Sequence, residues 1–184
     1  MFNRFTGILL TGIVIKLMDD FLDYNIDEWN STVYLERAVL PYSLVLFFIA
    51  LFFNFEESVG LFAASYCLGM NTNKKTRLPS GLLAWQEGLL IIIISICITD
   101  LYNVIYSLIL ILTIQLIDDL IDYQTDRYKN QGNYVLKFGR INIILVIIIL
   151  VLISLCYFTI KFITVFTAVL IIYLLINILK KWME

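Results

Sequence analysis

The chain contains no histidine and only three cysteines in 184 residues. Without histidine, no zinc site of the usual nitrogen–sulfur spacing can be assembled. Cys67, Cys97 and Cys156 each fall in a different apolar run, where a thiol reads as a small packing residue. Charge is also scarce: only 15% of residues are Asp, Glu, Lys or Arg, and the formal net charge is −2. No basic stripe interleaved with aromatics is present, so a nucleic-acid partner is not expected. No small-residue cleavage site follows the first apolar run. That run leads into an acidic cluster and reads as a retained helix, not as a signal peptide.

What is abundant is apolar surface. Hydrophobic residues make up 61% of the chain, and the mean hydropathy is +0.90. A soluble domain of this size has no use for so much, so the expected class is a polytopic membrane protein. A spanning helix takes about 20 apolar residues. Runs near 5–24, 38–54, 57–72, 81–99, 101–124, 140–159 and 161–181 predict an all-α bundle of about seven transmembrane helices in a single domain over 1–184. The fourth and fifth runs are separated only by a tight turn near Asp100.

The few positive charges set the expected orientation, because cytoplasmic loops collect Lys and Arg. If the runs alternate sides, one side receives Arg37, Lys74, Lys75, Arg77, Arg127, Lys129, Lys137, Arg140, Lys180 and Lys181, and the other receives only Arg4 and Lys161. This predicts an outside N-terminus, a cytoplasmic C-terminus and a multi-pass location in the lipid bilayer.

Acid is concentrated in two places. KLMDDFLDYNIDEWN, from Lys16, and QLIDDLIDYQTDRYK, from Gln115, nearly repeat each other. The first holds Asp19, Asp20, Asp23 and Asp27, and the second Asp118, Asp119, Asp122 and Asp126. Spacings of four and eight put Asp19, Asp23 and Asp27 on one helical stripe, and Asp118, Asp122 and Asp126 on another. The copies also match at Leu17 and Leu116, and at Tyr24 and Tyr123. Stacked carboxylates repel, and charge at membrane depth is costly, so a cation is expected to offset them. With no histidine available, hard oxygen ligands suit Mg²⁺, which binds through one or two carboxylates plus substrate phosphates. A solvated helix end would explain one such cluster more readily than two on one face.

A diphosphate bridged by Mg²⁺ to two aspartate-rich helices is a leaving group, and the apolar bundle behind it could accept a hydrocarbon tail. Some of the 13 Phe, 11 Tyr and 3 Trp could offer ring faces to a carbocation, although most read as packing or lipid-facing residues.

DDFLDYNID and DDLIDYQTD resemble the two Asp-rich motifs of the UbiA superfamily of intramembrane prenyltransferases. DRYKNQGNYVLKFGR is similar to the family segment in which Asp-Arg is followed by a glycine and then by a hydrophobic-Arg/Lys-Phe/Leu-Gly run. NKKTRLPSG, from Asn73 to Gly81, is similar to the family's Asn-Lys-x-x-Arg-Pro-Leu-Pro-Ser-Gly loop with one residue missing. The family has more helices, with one before the first motif. Its basic loop also follows that motif directly, whereas two apolar runs intervene here.

The resemblance implies Mg²⁺-dependent ionisation of a prenyl diphosphate at a cytoplasmic-side site, with transfer of the prenyl group to a lipophilic or aromatic acceptor. It implies catalytic and metal-holding roles for Asp19, Asp23, Asp118 and Asp122, with Asp20, Asp27, Asp119 and Asp126 as further ligands. Lys74, Arg77, Arg127, Lys137 and Arg140 would meet the diphosphate, and ordinary cytoplasmic-loop charge explains the same residues. The alternative on this scaffold is a terpene cyclase, which ionises the same substrate without an acceptor. A transporter would hold its acids nearer the bilayer midplane. A CDP-alcohol phosphotransferase would need Asp-Gly and Ala-Arg pairs that are absent.

Two further charges stand in apolar runs. Glu87 is either a functional group or a member of a polar cluster with Gln86. Lys16 is placed to pair with Asp19 or Asp20.

Overall fold

The computed structural model describes residues 2–27, 33–69, 80–124 and 133–183. Among them the structure is all-helical: α1 (Phe2–Asp27), α2 (Val33–Phe53), α3 (Phe55–Leu68), α4 (Ala84–Ile98), α5 (Leu101–Ile121), α6 (Tyr134–Phe138) and α7 (Arg140–Met183). Six of the seven correspond to the hydrophobic runs. The short α6 has no counterpart in hydropathy.

The last element is two helices joined end to end. A straight helix of 44 residues would be about 65 Å long, against about 30 Å for the 21-residue α5. At Phe158 the backbone leaves helical geometry (φ −151°, ψ 51°). Ile143 packs with Leu116 near the C-terminal end of α5, and Phe158 stacks on Tyr106 near its N-terminal end at 4.0 Å. Lys161 then reaches Asn103, and Tyr173 returns to Asp118. The two arms, 140–157 and 159–183, therefore run antiparallel along α5, as the separate runs 140–159 and 161–181 predicted.

The main core cluster joins Ile8 of α1, Leu61 of α3, Leu110 of α5, and Phe158, Val165 and Ala168 of α7. Among the described residues, α1 and α5 both pack against α3 and α7 but not against each other. They are opposite corners of a four-helix core, with α2 laid on α1 and α3, and α4 on α3 and α5. Packed helices lie 8–10 Å apart, so opposite corners stand roughly 11–14 Å apart.

Polarity is distributed inside out. Phe52, Leu44, Ile141 and Phe2 are largely exposed, whereas Thr11, Ser58, Ser107, Thr113 and Ser154 are fully buried. Small hydroxyl residues inside and large apolar ones outside are the arrangement of helices packed in lipid; in water such a surface would associate. Two stretches, Leu101–Ile121 and Arg140–Ile178, are long and apolar enough to cross a membrane. Val39–Phe53 and Ala84–Ile98 are apolar but shorter. Helix α1 has the length, but Arg4, Lys16 and Asp19 interrupt its apolar course.

Candidate active site

Both acidic motifs end up at the same end of the bundle. Helix α1 runs through Asp27, so the first motif lies wholly on helix. The second straddles a helix end: α5 stops at Ile121 and Asp122 is its C-cap (φ −87°, ψ 5°), with its amide on the Asp118 carbonyl at 2.9 Å. The expected stripe is thus regular helix from Asp118 only as far as Asp122. The side chains of Asp20, Asp23 and Asp27 lie outside the described set, as do residues Lys74, Arg77, Asp126 and Arg127.

Tyr173, on the second arm of α7, joins the two motifs. Its hydroxyl donates to Asp118 Oδ1, and it lies within electrostatic reach of Asp122 and of Asp19. Since the second arm packs with both Ile8 of α1 and Leu110 of α5 through Val165 and Ala168, Tyr173 sits on an element that bridges the two motif helices. Lys16 Nζ lies 3.6 Å from Asp19 Oδ2, the pairing expected from its place in the repeat.

Asp119 faces a different neighbour. Its Oδ2 accepts from the Tyr134 amide at 2.8 Å, and its carbonyl accepts from Asn133 Nδ2 at 2.7 Å. Asn133 in turn caps α6, its Oδ1 accepting from the Val135 amide at 2.7 Å. One carboxylate of the second motif therefore docks α6 onto α5. Docking puts Lys137 and Arg140 at the motif end, both exposed, with Lys137 5.8 Å from the centre of the Tyr134 ring. Gly139 separates α6 from α7 at φ +86° and ψ 147°, a conformation open essentially to glycine alone. The Lys-Phe-Gly-Arg run thus has a backbone reason for its glycine.

Three more contacts complete this end. Gln115 Nε2 donates to the Leu68 carbonyl at 3.3 Å, which brings the C-terminus of α3 beside the second motif. At the start of α4, Glu87 accepts from Tyr66 Oη at 2.6 Å and from Ser80 Oγ at 2.5 Å. Gln86 does not share that cluster: its Oε1 accepts from the Leu83 amide at 3.0 Å.

The donor set can be tested against a metal. Among the described residues, no three carboxylates or thiols converge to cage an ion by themselves. Mg²⁺ does not require such a cage, since it keeps waters and binds through one or two carboxylates plus substrate phosphates. Asp19 on one helix, and Asp118 and Asp122 at the end of another, all lie near Tyr173. They offer hard oxygen donors, a donor chemistry that fits an ion bound through one or two carboxylates plus phosphate.

The opposite end of the bundle holds a polar network that hydropathy alone does not reveal. Lys161, 3% exposed, lies 2.8 Å from Glu57 Oε2 and donates to the Asn103 carbonyl at 3.2 Å, to Asn103 Oδ1 and to Ser107 Oγ at 2.9 Å. Arg4 pairs with Glu57 Oε1. Asn54 caps α3 through the Glu57 amide at 3.0 Å. The two cations left over by the charge count thus share one carboxylate. The signal for this was two opposite charges, Glu57 and Lys161, in apolar runs. An open cleft of about 490 Å³ borders the network. Asn103 and Asp118 are separated by about 22 Å of helix, so this cleft is remote from the aspartates.

Comparison with protein-family models, curated proteins and solved structures gave no match.

Proposed function

We propose that this chain is a multi-pass membrane protein that ionises a prenyl diphosphate with the help of Mg²⁺ and transfers the prenyl group to a lipophilic or aromatic acceptor. The observation that carries the reading is the meeting of Asp118 with Tyr173 within reach of Asp19 and Asp122. Two motifs with the same acid spacing, 99 residues apart in sequence, lie at one end of an otherwise apolar bundle. The motif resemblance and the positive loops support the same reading, with the site on the cytoplasmic side.

In the reaction the bond between C1 of the prenyl chain and the diphosphate oxygen breaks, and its electron pair leaves with the diphosphate. A new bond forms between C1 and the acceptor, which gives up a proton. Asp19, Asp118 and Asp122 would hold Mg²⁺, which when bound would supply positive charge to offset that of the leaving diphosphate. Lys137 and Arg140 take phosphate oxygens left outside that coordination, through charge-assisted hydrogen bonds. Asp119 acts indirectly, by holding α6 and its basic residues in place. The apolar helix faces exclude water from the cation.

The test is to incubate purified protein with Mg²⁺ and prenyl diphosphates of several lengths, with and without a membrane lipid extract. Diphosphate release that needs both the metal and the extract is the expected result. Absence of release under every condition would reject the reading.

A further inference from the structure

We propose that Tyr173 is a positioning residue for the divalent cation: its hydroxyl holds Asp118 in the orientation in which the cation meets it, midway between the two motif helices. This inference rests on the metal site described above and adds to it a residue that lies in neither motif.

The geometry is specific. Tyr173 belongs to the second arm, which meets α1 at Gly12 and α5 at Asp118, so it reaches the second motif from an arm that also packs on the helix of the first. Its neighbour Ile172 lies against α1 at Gly12. A Cβ built on Gly12 of α1 would lie 2.7 Å from Ile172 Cδ1, a distance that no side-chain carbon sustains. The arm thus lies close against α1 at Gly12, where a larger residue would make the Ile172 side chain shift, and Tyr173 follows one position further along.

The chemistry of a phenol suits the task. A lysine here would neutralise the carboxylates and compete with a divalent ion. A phenolic hydroxyl donates one charge-assisted hydrogen bond and adds no charge. It occupies Asp118 Oδ1 and fixes the plane of the carboxylate, and it adds no positive charge beyond that of Lys16, which already pairs with Asp19. Partners that orient a ligand in this way typically contribute 10–100-fold in metal affinity. A tyrosine that merely satisfied its own hydroxyl in an apolar helix would contribute none.

The experiment measures Mn²⁺ binding to the purified full chain in detergent by electron paramagnetic resonance, with no prenyl substrate present and with inorganic diphosphate added in a second series. Tyr173→Phe should weaken Mn²⁺ binding by about 10–100-fold. In an Asp118→Asn background it should cause no further loss, because Tyr173 acts through Asp118. Tyr173→Leu, which suits an apolar helix, serves if Tyr173→Phe does not accumulate. Unchanged affinity in Tyr173→Phe, or an equal loss in both backgrounds, overturns the inference and leaves the metal site standing. Failure of the unsubstituted protein to bind Mn²⁺ in either series overturns the metal site and the inference together.

Discussion

The Lys161 ammonium lies 2.8 Å from the Glu57 carboxylate, at the end of the bundle opposite the two aspartate motifs. Glu57 is 6% exposed and is shared with Arg4, so one carboxylate offsets two cations. Removing one member of a buried pair costs about 3–5 kcal/mol because the remaining charge is left without compensation. The losses should be unequal. Glu57→Gln leaves Lys161 and Arg4 facing each other, whereas Lys161→Met leaves Glu57 still paired with Arg4. Unfolding in mixed detergent should therefore show Glu57→Gln as the more destabilised variant. The reverse order would contradict the shared-carboxylate account.

Gly139 gives a backbone prediction. An added Cβ would meet nothing within 4 Å, so the cost of Gly139→Ala is purely conformational, about 1–3 kcal/mol for a residue forced into that region. Thermal unfolding in detergent measures it. A neutral effect would mean that the link between α6 and α7 takes another conformation.

Lys137 and Arg140 sit on opposite sides of that glycine. If they bind the diphosphate, each substitution by Ala removes a hydrogen bond to a charged group, worth about 1.5–3 kcal/mol. That corresponds to a rise in KM for the prenyl diphosphate of roughly 10–150-fold. If they serve only to orient the chain in the membrane, KM stays constant and reporter fusions register the change instead.

Orientation itself can be tested. Cysteine-accessibility labelling should place 127–140 in the cytoplasm and the turn at Asn54 outside. The fold already puts Asn54 and the described residues 133–140 at opposite ends, since Asn54 caps α3 beside Glu57 while α6 docks on Asp119. Labelling of both from the same side would contradict the charge-derived topology.

Much of the architecture was legible because hydropathy and helix length obey one rule in lipid. The runs gave six of the helices to within a few residues, and the break between 140–159 and 161–181 is the reversal at Phe158. Helix α6 was invisible because five residues carry no periodicity; it exists through the Asn133 cap and the Asp119 contact. The acidic motifs announced themselves by repetition. Tyr173 could not, because one tyrosine in an apolar run looks like the other ten until tertiary packing sets it against Asp118. Asp119 shows the converse limit. Its place in the motif reads as metal-holding, yet its Oδ2 binds the Tyr134 amide, a partner 15 residues away that no helical stripe could indicate.

The most direct test of the central claim is diphosphate release by purified protein carrying Asp→Ala at Asp19, Asp23, Asp118 or Asp122, assayed with Mg²⁺, a prenyl diphosphate and a lipid acceptor extract. Each substitution should lower the rate by about 10²–10³-fold or more, as loss of a main electrostatic element does. The folded protein should remain in detergent, since relief of carboxylate repulsion offsets the lost contacts of Asp118 with Tyr173 and of Asp19 with Lys16. Consumption of the diphosphate should depend on the acceptor; a cyclic hydrocarbon or alcohol formed from the diphosphate alone would assign the same site to a cyclase. Turnover that survives these substitutions and a chelator would contradict the account.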